Sequence, residues 1–528
     1  MWEQWPVWCE LLPSGCAPSL VPMPKSASPA VVSGLVLASV RQPGEKTLCD
    51  IFITDGKVAQ IVPSGSQAEF PPGSRVVDLD GRYVIPGLWD EHVHMTQWAL
   101  AAGRIDLSGA SSAREAATVV RSRLEAATTA ESGGDPAGGR TLVGVGFRDA
   151  VWADTPSLEL LDGATAGVPT ALISHDLHCV WLNSAAAARY RVAVDADGLL
   201  REEPAFELTR ELGRLPDEVV DAMVRDAGRA AAARGIVGIV DFEMVWNRDT
   251  WLRRIAAGFD SLRVDAGVYP QDLDRAIGEG MRTGHLVAEG GGLLRVGPLK
   301  VLIDGSLNTR TAYCVDPYPH GGRGLLTVSE ADLQDLLVKA RASGFVPAVH
   351  AIGDGANEVA LNAFAAAGIR GRIEHAQFVR RQDFARFGEL GITASVQPAH
   401  ALDDRDAADS NWAGRTERAF PLRSLLDAGA TLALGSDAPV APLEPWTAMS
   451  AATTRARQDG REPWHPEQAL TRQEALAASS RGRRRVSVGD PADVVVLDAN
   501  PLAVSDTEFA AMPVAATLVA GRFTHRDV

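Results

Sequence analysis

The chain has 528 residues, 46% hydrophobic and 22% charged, an ordinary globular composition; it is too long for one core, so two or more domains are expected. Its 51 basic against 67 acidic side chains give a net charge of −16, which argues against nucleic acid or an anionic membrane as the main partner. Five scattered cysteines (Cys9, Cys16, Cys49, Cys179 and Cys314) show no paired spacing, so a reducing, cytoplasmic location is expected rather than a disulfide framework. No apolar run reaches the roughly 18–20 residues that span a bilayer. The opening Met1-Trp2-Glu3-Gln4-Trp5-Pro6 lacks the basic and apolar regions of a secretory signal.

In chain order, residues 1–32 are rich in Pro, Ser and Ala and are expected to be a disordered tail. Residues 33–83 read as short strands, with a hairpin over 51–62 turning at Asp55-Gly56. An apolar run over 83–94 ends in Asp90-Glu91-His92-Val93-His94. In a strand, side chains two apart share a face, so Asp90, His92 and His94 point together. Apolar runs follow at 141–147 and 168–174, with a linker-like Gly-rich stretch at 131–139 between them. Beyond residue 234, strand-like runs alternate with Ala-rich helical stretches, which argues for βα units and a parallel sheet. The run Arg481-Gly482-Arg483-Arg484-Arg485 is expected to be a solvated loop. Strands over 492–497 and 516–523 close the chain.

Four of the later runs carry a chemically informative residue: Lys300 inside 299–305, His350 at the end of its run, His375 after Glu374, and Asp437 in Gly435-Ser436-Asp437-Ala438-Pro439. Alternation places Lys300, Leu302 and Asp304 on one strand face. A buried ammonium is costly, so Lys300 must be neutralised, paired with Asp304, or chemically altered. Each histidine alone reads more readily as a satisfied buried imidazole than as a ligand.

Together the order His92, His94, Lys300, His350, His375, Asp437 resembles the ligand order of the amidohydrolase superfamily. The segments Asp304-Gly305-Ser306-Leu307, His350-Ala351-Ile352-Gly353-Asp354 and 435–439 resemble its family 3 branch, which includes N-substituted formamide deformylase-like enzymes. The likeness runs from residue 33 to the C-terminus. It implies an α/β fold: a (β/α)8 TIM barrel over 84–485, a small β-sandwich domain built from both chain ends (33–83 plus 486–528), and an αβ lobe at 95–234 inserted after the first barrel strand as a lid. Eight runs match its barrel strands, at 83–94, 235–242, 262–269, 296–304, 346–350, 372–377, 392–398 and 431–437. Barrel active sites lie at the C-terminal strand ends.

The resemblance also implies two divalent metal ions. His92, His94 and Asp437 would hold the first, and His350 and His375 the second. A CO₂-derived carbamate on Lys300 would bridge them. Nitrogen and oxygen ligands make zinc the first expectation. A metal-bridging hydroxide would attack, with Asp437 as the catalytic acid–base group. His178, Trp181 and Arg310 are candidate substrate-binding residues, each with a packing or ion-pair alternative, and Asp354 is a supporting group or helix cap. The implied reaction is hydrolysis of a carbon–nitrogen bond, other than a peptide bond, in an amide, formamide or N-acyl compound. A small-molecule amide-type substrate is thus the expected partner, with no nucleic acid and no membrane; a homodimer is left open. The alternatives are a mononuclear deaminase of a cyclic amidine, which needs no carbamylated lysine, and a non-catalytic scaffold, which would lose ligands. One segment departs from the family: after Glu474-Ala475-Leu476, residues 477–491 are short and Arg-rich, and are expected to touch no ligand.

Overall fold

The computed structural model describes residues 34–528, apart from 67–69, 131–140, 148, 150, 151, 153, 175–178, 202, 320 and 458. The expected tail, the Gly-rich stretch at 131–139 and His178 therefore lie outside the described residues. The chain forms two compact units, residues 95–227 and the remainder.

In the larger unit, eight strands pair in chain order: Leu88–Val93, Ile236–Asp241, Arg263–Val268, Leu294–Leu302, Pro347–Ala351, Arg372–His375, Thr393–Val396 and Thr431–Leu434. All seven pairings between neighbours are parallel. A parallel bridge from Val93 to Ala438 joins the last strand back to the first, so the sheet is a nearly closed barrel. Helices between strands follow from local signals. Ser329 caps Glu330–Ser343 by accepting from the Asp332 amide, Leu333, Leu337 and Ala340 form its buried stripe, and Gly344 at φ 79° ends it. Such a cap is worth about 1 kcal/mol.

The continuous strand expected over 83–94 is in fact two. Tyr83–Pro86 pairs antiparallel with Val494–Leu497, whereas Leu88–Val93 enters the barrel. Gly87 is the break: a Cβ there would lie 2.4 Å from Val237 Cγ1, so only glycine lets the chain pass between sheets.

Tyr83–Pro86 belongs to a four-stranded sheet with Val494–Leu497, Val514–Val519 and Arg522–Arg526. A second four-stranded sheet contains Leu35–Val40, Cys49–Thr54, Lys57–Pro63 and Arg75–Asp78. The alternating residues Leu35 and Leu37, Ile51 and Ile53, Val494 and Val496 fall in one buried cluster with Val84 and Leu518, the period-2 pattern of strands with one buried face. The hairpin turn is as expected, Asp55 and Gly56 both having positive φ (49° and 69°).

The smaller unit has its own five-stranded sheet, ordered Leu199–Arg201, Cys179–Leu182, Thr170–Ser174, Leu142–Phe147, Ile105–Asp106. Its helix Ala113–Ala130 places Ala113, Ala116, Ala117, Val120 and Leu124 in one cluster with Leu172 and Trp181, an apolar stripe at helical spacing. Among the described residues no helix is long and apolar enough to cross a membrane.

Candidate metal centre

Six side chains from five barrel strands and their C-terminal ends converge. Lys300 Nζ is 3.2 Å from His92 Nε2. Asp437 Oδ1 lies 3.4 Å from His92 Nε2 and 3.5 Å from His94 Nε2. The His375 ring centroid is 4.9 Å from that of His92 and 4.5 Å from that of His350. Each sequence-predicted ligand is thus in contact with at least one other.

Hydrogen bonds fix which nitrogen of each ring is free. Glu374 Oε2 sits 2.7 Å from His92 Nδ1, so Nδ1–H donates and Nε2 keeps its lone pair. Gln397 Oε1 accepts in the same way from His375 Nδ1 at 2.9 Å. On His350 it is Nε2 that faces acceptors, Gly305 O at 3.3 Å and Asp304 Oδ1 at 3.4 Å, which frees Nδ1. A ring nitrogen held as a donor sets the tautomer that leaves the other able to bind metal.

Asp304 is not the ion-pair partner of Lys300 that the strand alternation allowed. Its carboxylate accepts from the backbone amides of Tyr313 (2.9 Å), Ile352 (3.0 Å) and Gly353 (2.9 Å). It therefore anchors the loops around His350.

Backbone conformation completes the convergence. In a regular strand Glu374 and His375 would face opposite sides. His375 at φ 73° and Ala376 at φ 41° break the alternation, so both side chains reach His92. Asp437 also adopts positive φ, 57°. Non-glycine residues in this region cluster where a site over-determines the backbone.

Burial governs the electrostatics. It lowers His94 to about 4 and His350 to about 3, helped in both by the charge of Lys300. His92 and His375 are driven well below the usual imidazole value, again mainly by burial. All four are thus neutral lone-pair donors at neutral pH. Burial raises the Asp437 carboxyl to about 7, with Lys300 opposing. It lowers Lys300 to about 8, with Glu374 and Asp437 opposing.

This donor set fits divalent metal. Ligand atoms of His92, His375 and Asp437 all lie within 4.8 Å of one another, and neutral imidazole with carboxylate suits zinc-like ions. The triple crosses the two ligand groups expected from sequence, since it joins His375 to His92 and Asp437.

The other candidates have contacts of their own. Trp181 is fully buried in the smaller unit, packed on Phe147 and Trp152, with its Nε1 donating to Ser157 O; packing accounts for its contacts. Arg310 is exposed, in a turn at φ 58°. Asp354 opens helix Asp354–Ala367, accepts from the Val315 amide at 2.8 Å and pairs with Arg418 at 2.6 Å. Three supporting residues escaped the sequence reading: Glu374, Gln397 and His400, whose ring stacks on His375 with centroids 6.5 Å apart. A signal for Glu374 was present, as Arg372 and Glu374 are charged residues two apart on one face of the short strand Arg372–His375.

The sequence profile of the amidohydrolase family matches residues 75–525. An N-substituted formamide deformylase of Arthrobacter pascens is 25% identical, over 92% of this chain and 97% of its own. Protein LONG AFTER FAR-RED 3 of Arabidopsis thaliana is 28% identical, over 81% of this chain and 80% of its own. Among solved structures, an uncharacterized metal-dependent hydrolase from Pyrococcus horikoshii superposes with a TM-score of 0.70 at 25% identity, covering 90% of this chain and 99% of that one. With a barrel of the TIM type and a family match over most of its length, this chain belongs to the amidohydrolase family, hydrolases of carbon–nitrogen bonds.

Proposed function

We propose that this chain hydrolyses an amide, formamide or N-acyl bond at a centre of two divalent ions, most simply zinc, with Lys300 carbamylated between them. The observation that carries the reading is the approach of Lys300 Nζ to 3.2 Å from His92 Nε2. A single-ion site needs no carbamylated lysine, so a lysine among four neutral imidazoles and a carboxylate favours two ions. As a neutral amine, its lone pair attacks the carbon of CO₂ and a proton is released, which turns a cation into an anionic oxygen ligand. His92, His94 and Asp437 would hold one ion, and His350 and His375 the other. Ions bound there would bring a water close to ionisation at neutral pH and polarise the substrate carbonyl. Asp437, whose Oδ1 faces His92 and His94 at 3.4 and 3.5 Å, would take a proton and return it to the leaving nitrogen.

The two sheets made from the chain ends are read as a β-sandwich, and residues 95–234 as an inserted lobe that selects substrate. A second reading has one supporting observation: the compact triple His92, His375 and Asp437 would serve a single ion, as in a deaminase of cyclic amidines. Metal analysis after extensive dialysis separates the two. About two ions per chain, with turnover of some N-formyl, N-acyl or lactam compound in a panel, supports the proposal. One ion with amidine deamination supports the alternative, and active protein free of metal refutes both.

A further inference from the structure

The Arg-rich segment that departs from the family pattern is not simply a solvated loop. Arg481 follows helix Arg472–Ala478, and its guanidinium lies over the Trp89 ring, 3.2 Å from the centroid. Its Nε donates to Glu91 Oε1 at 2.7 Å and its Nη2 to Asp265 Oδ2 at 2.7 Å. The other oxygen of Glu91 accepts from Arg372 Nη1 at 2.7 Å, and the Glu91 backbone carbonyl accepts from Arg372 Nη2 at 2.7 Å. Arg372 Nε then donates to Glu374 Oε1 at 2.6 Å, and Glu374 Oε2 accepts from His92 Nδ1 at 2.7 Å.

The result is one chain of alternating charge: Asp265, Arg481, Glu91, Arg372, Glu374, ending on His92. Its interior is buried, with side-chain exposures of 6% for Glu91, 12% for Arg372 and 0% for Glu374, against 31% for Arg481 and 15% for Asp265 toward the outer end. In such surroundings each charge is tolerable only while its partners are in place. Without Arg481, Glu91 would keep Arg372 as its sole cation and compete harder with Glu374 for it. Glu374 is the group that holds the His92 tautomer.

We propose that Arg481 is a positioning residue for the metal centre, acting through Glu91, Arg372 and Glu374 on the orientation of His92. The inference rests on the metal-centre reading above. The test is Co²⁺ titration of the metal-free full chain, read by visible absorption, beside its thermal unfolding. Arg263 supplies the control, since it makes a comparable pair with Asp493 (2.6 and 3.0 Å) that does not lead to His92. Glu374→Gln should weaken Co²⁺ binding about 10–100-fold. Arg481→Gln should weaken it about tenfold and shift the absorption band, with Arg481→Lys intermediate. Arg263→Gln should lower the unfolding temperature while leaving Co²⁺ affinity within about twofold of wild type. Arg481→Met, which keeps an aliphatic stem over Trp89, replaces Arg481→Gln if that variant does not fold. Unchanged Co²⁺ affinity in the Arg481 variant, with wild type binding normally, overturns this inference alone. Failure of wild type to take up Co²⁺ overturns the metal reading and this inference with it.

Discussion

His92 Nε2 and Lys300 Nζ, 208 residues apart in sequence, lie 3.2 Å from each other inside the barrel. Burial acts on both groups: it holds His92 well below the ordinary imidazole value, with the charge of Lys300 adding to the effect, and it lowers Lys300 to about 8, with Glu374 and Asp437 opposing. The first strand thus offers a lone pair and the fourth an amine able to shed its proton.

The first prediction concerns the bridge. On the two-ion proposal, Lys300→Ala should lose metal as well as turnover, because no carbamate oxygen would then stand between the ions. Acetate or propionate should restore part of both. Metal content by elemental analysis and turnover, each with and without added carboxylate, make the check. A Lys300→Ala protein with full metal content and normal rate would show that the lysine only fills space.

The second prediction follows from the lowered lysine. CO₂ reacts with the neutral amine, and a group titrating near 8 is about half neutral at pH 8 but only about 3% neutral at pH 6.5. The folded value lies below the ordinary 10.5, so the sign is fixed: loading speeds up as pH rises toward 8. Reconstituting metal-free protein with Zn²⁺ and bicarbonate should be roughly fifteenfold faster at pH 8 than at pH 6.5. The test is the rate at which activity returns at constant dissolved CO₂. A flat profile would mean that no lysine titration limits assembly.

How much of this was legible in the sequence depends on what each residue obeys. His92 and His94 obey strand alternation, so their shared face could be read from a spacing of two. The Asp55-Gly56 turn is equally local. The break at Gly87 was not legible, because it depends on Val237, 150 residues away, filling the space a Cβ would need. Nor was the joint approach of Glu374 and His375 to His92, since positive φ at His375 defies the alternation that a sequence pattern assumes. Arg481 looked like one of several solvated arginines because its partners, Glu91 and Asp265, come from distant strands.

The third prediction tests proton transfer. Asp437→Asn keeps an oxygen for coordination but cannot accept a proton, so turnover should fall by about 10²–10⁴ while a substantial part of the metal remains. Steady-state rates beside metal content decide it. Loss of all metal would show a chiefly ligating role, and an unchanged rate would place the acid–base work elsewhere.

The fourth prediction concerns how the last strand meets the first. Asp90 Oδ1 accepts from the amides of Ser436 at 2.9 Å and His92 at 3.1 Å, and the Asp437 amide donates to His92 O at 2.7 Å. Gly435 lies in this seam, where a Cβ would come 2.8 Å from His92 N, 3.0 Å from His92 Cβ and 3.1 Å from Asp90 Oδ1. Two of those neighbours belong to His92 itself, so Gly435→Ala must push a residue proposed to bind metal. Overpacking of this kind costs about 1–3 kcal/mol, and the displaced imidazole should weaken metal binding about tenfold. Gly278→Ala is the matched control, since a Cβ there meets nothing within 4 Å and the residue ends helix Leu273–Gly278; it should raise stability by about 0.4–1 kcal/mol and leave metal affinity unchanged. Urea unfolding and Co²⁺ titration of the three proteins measure both effects. If Gly435→Ala unfolds earlier yet binds Co²⁺ like wild type, the seam opens without moving His92, and the ligand geometry is less tightly bound to barrel closure than these contacts imply.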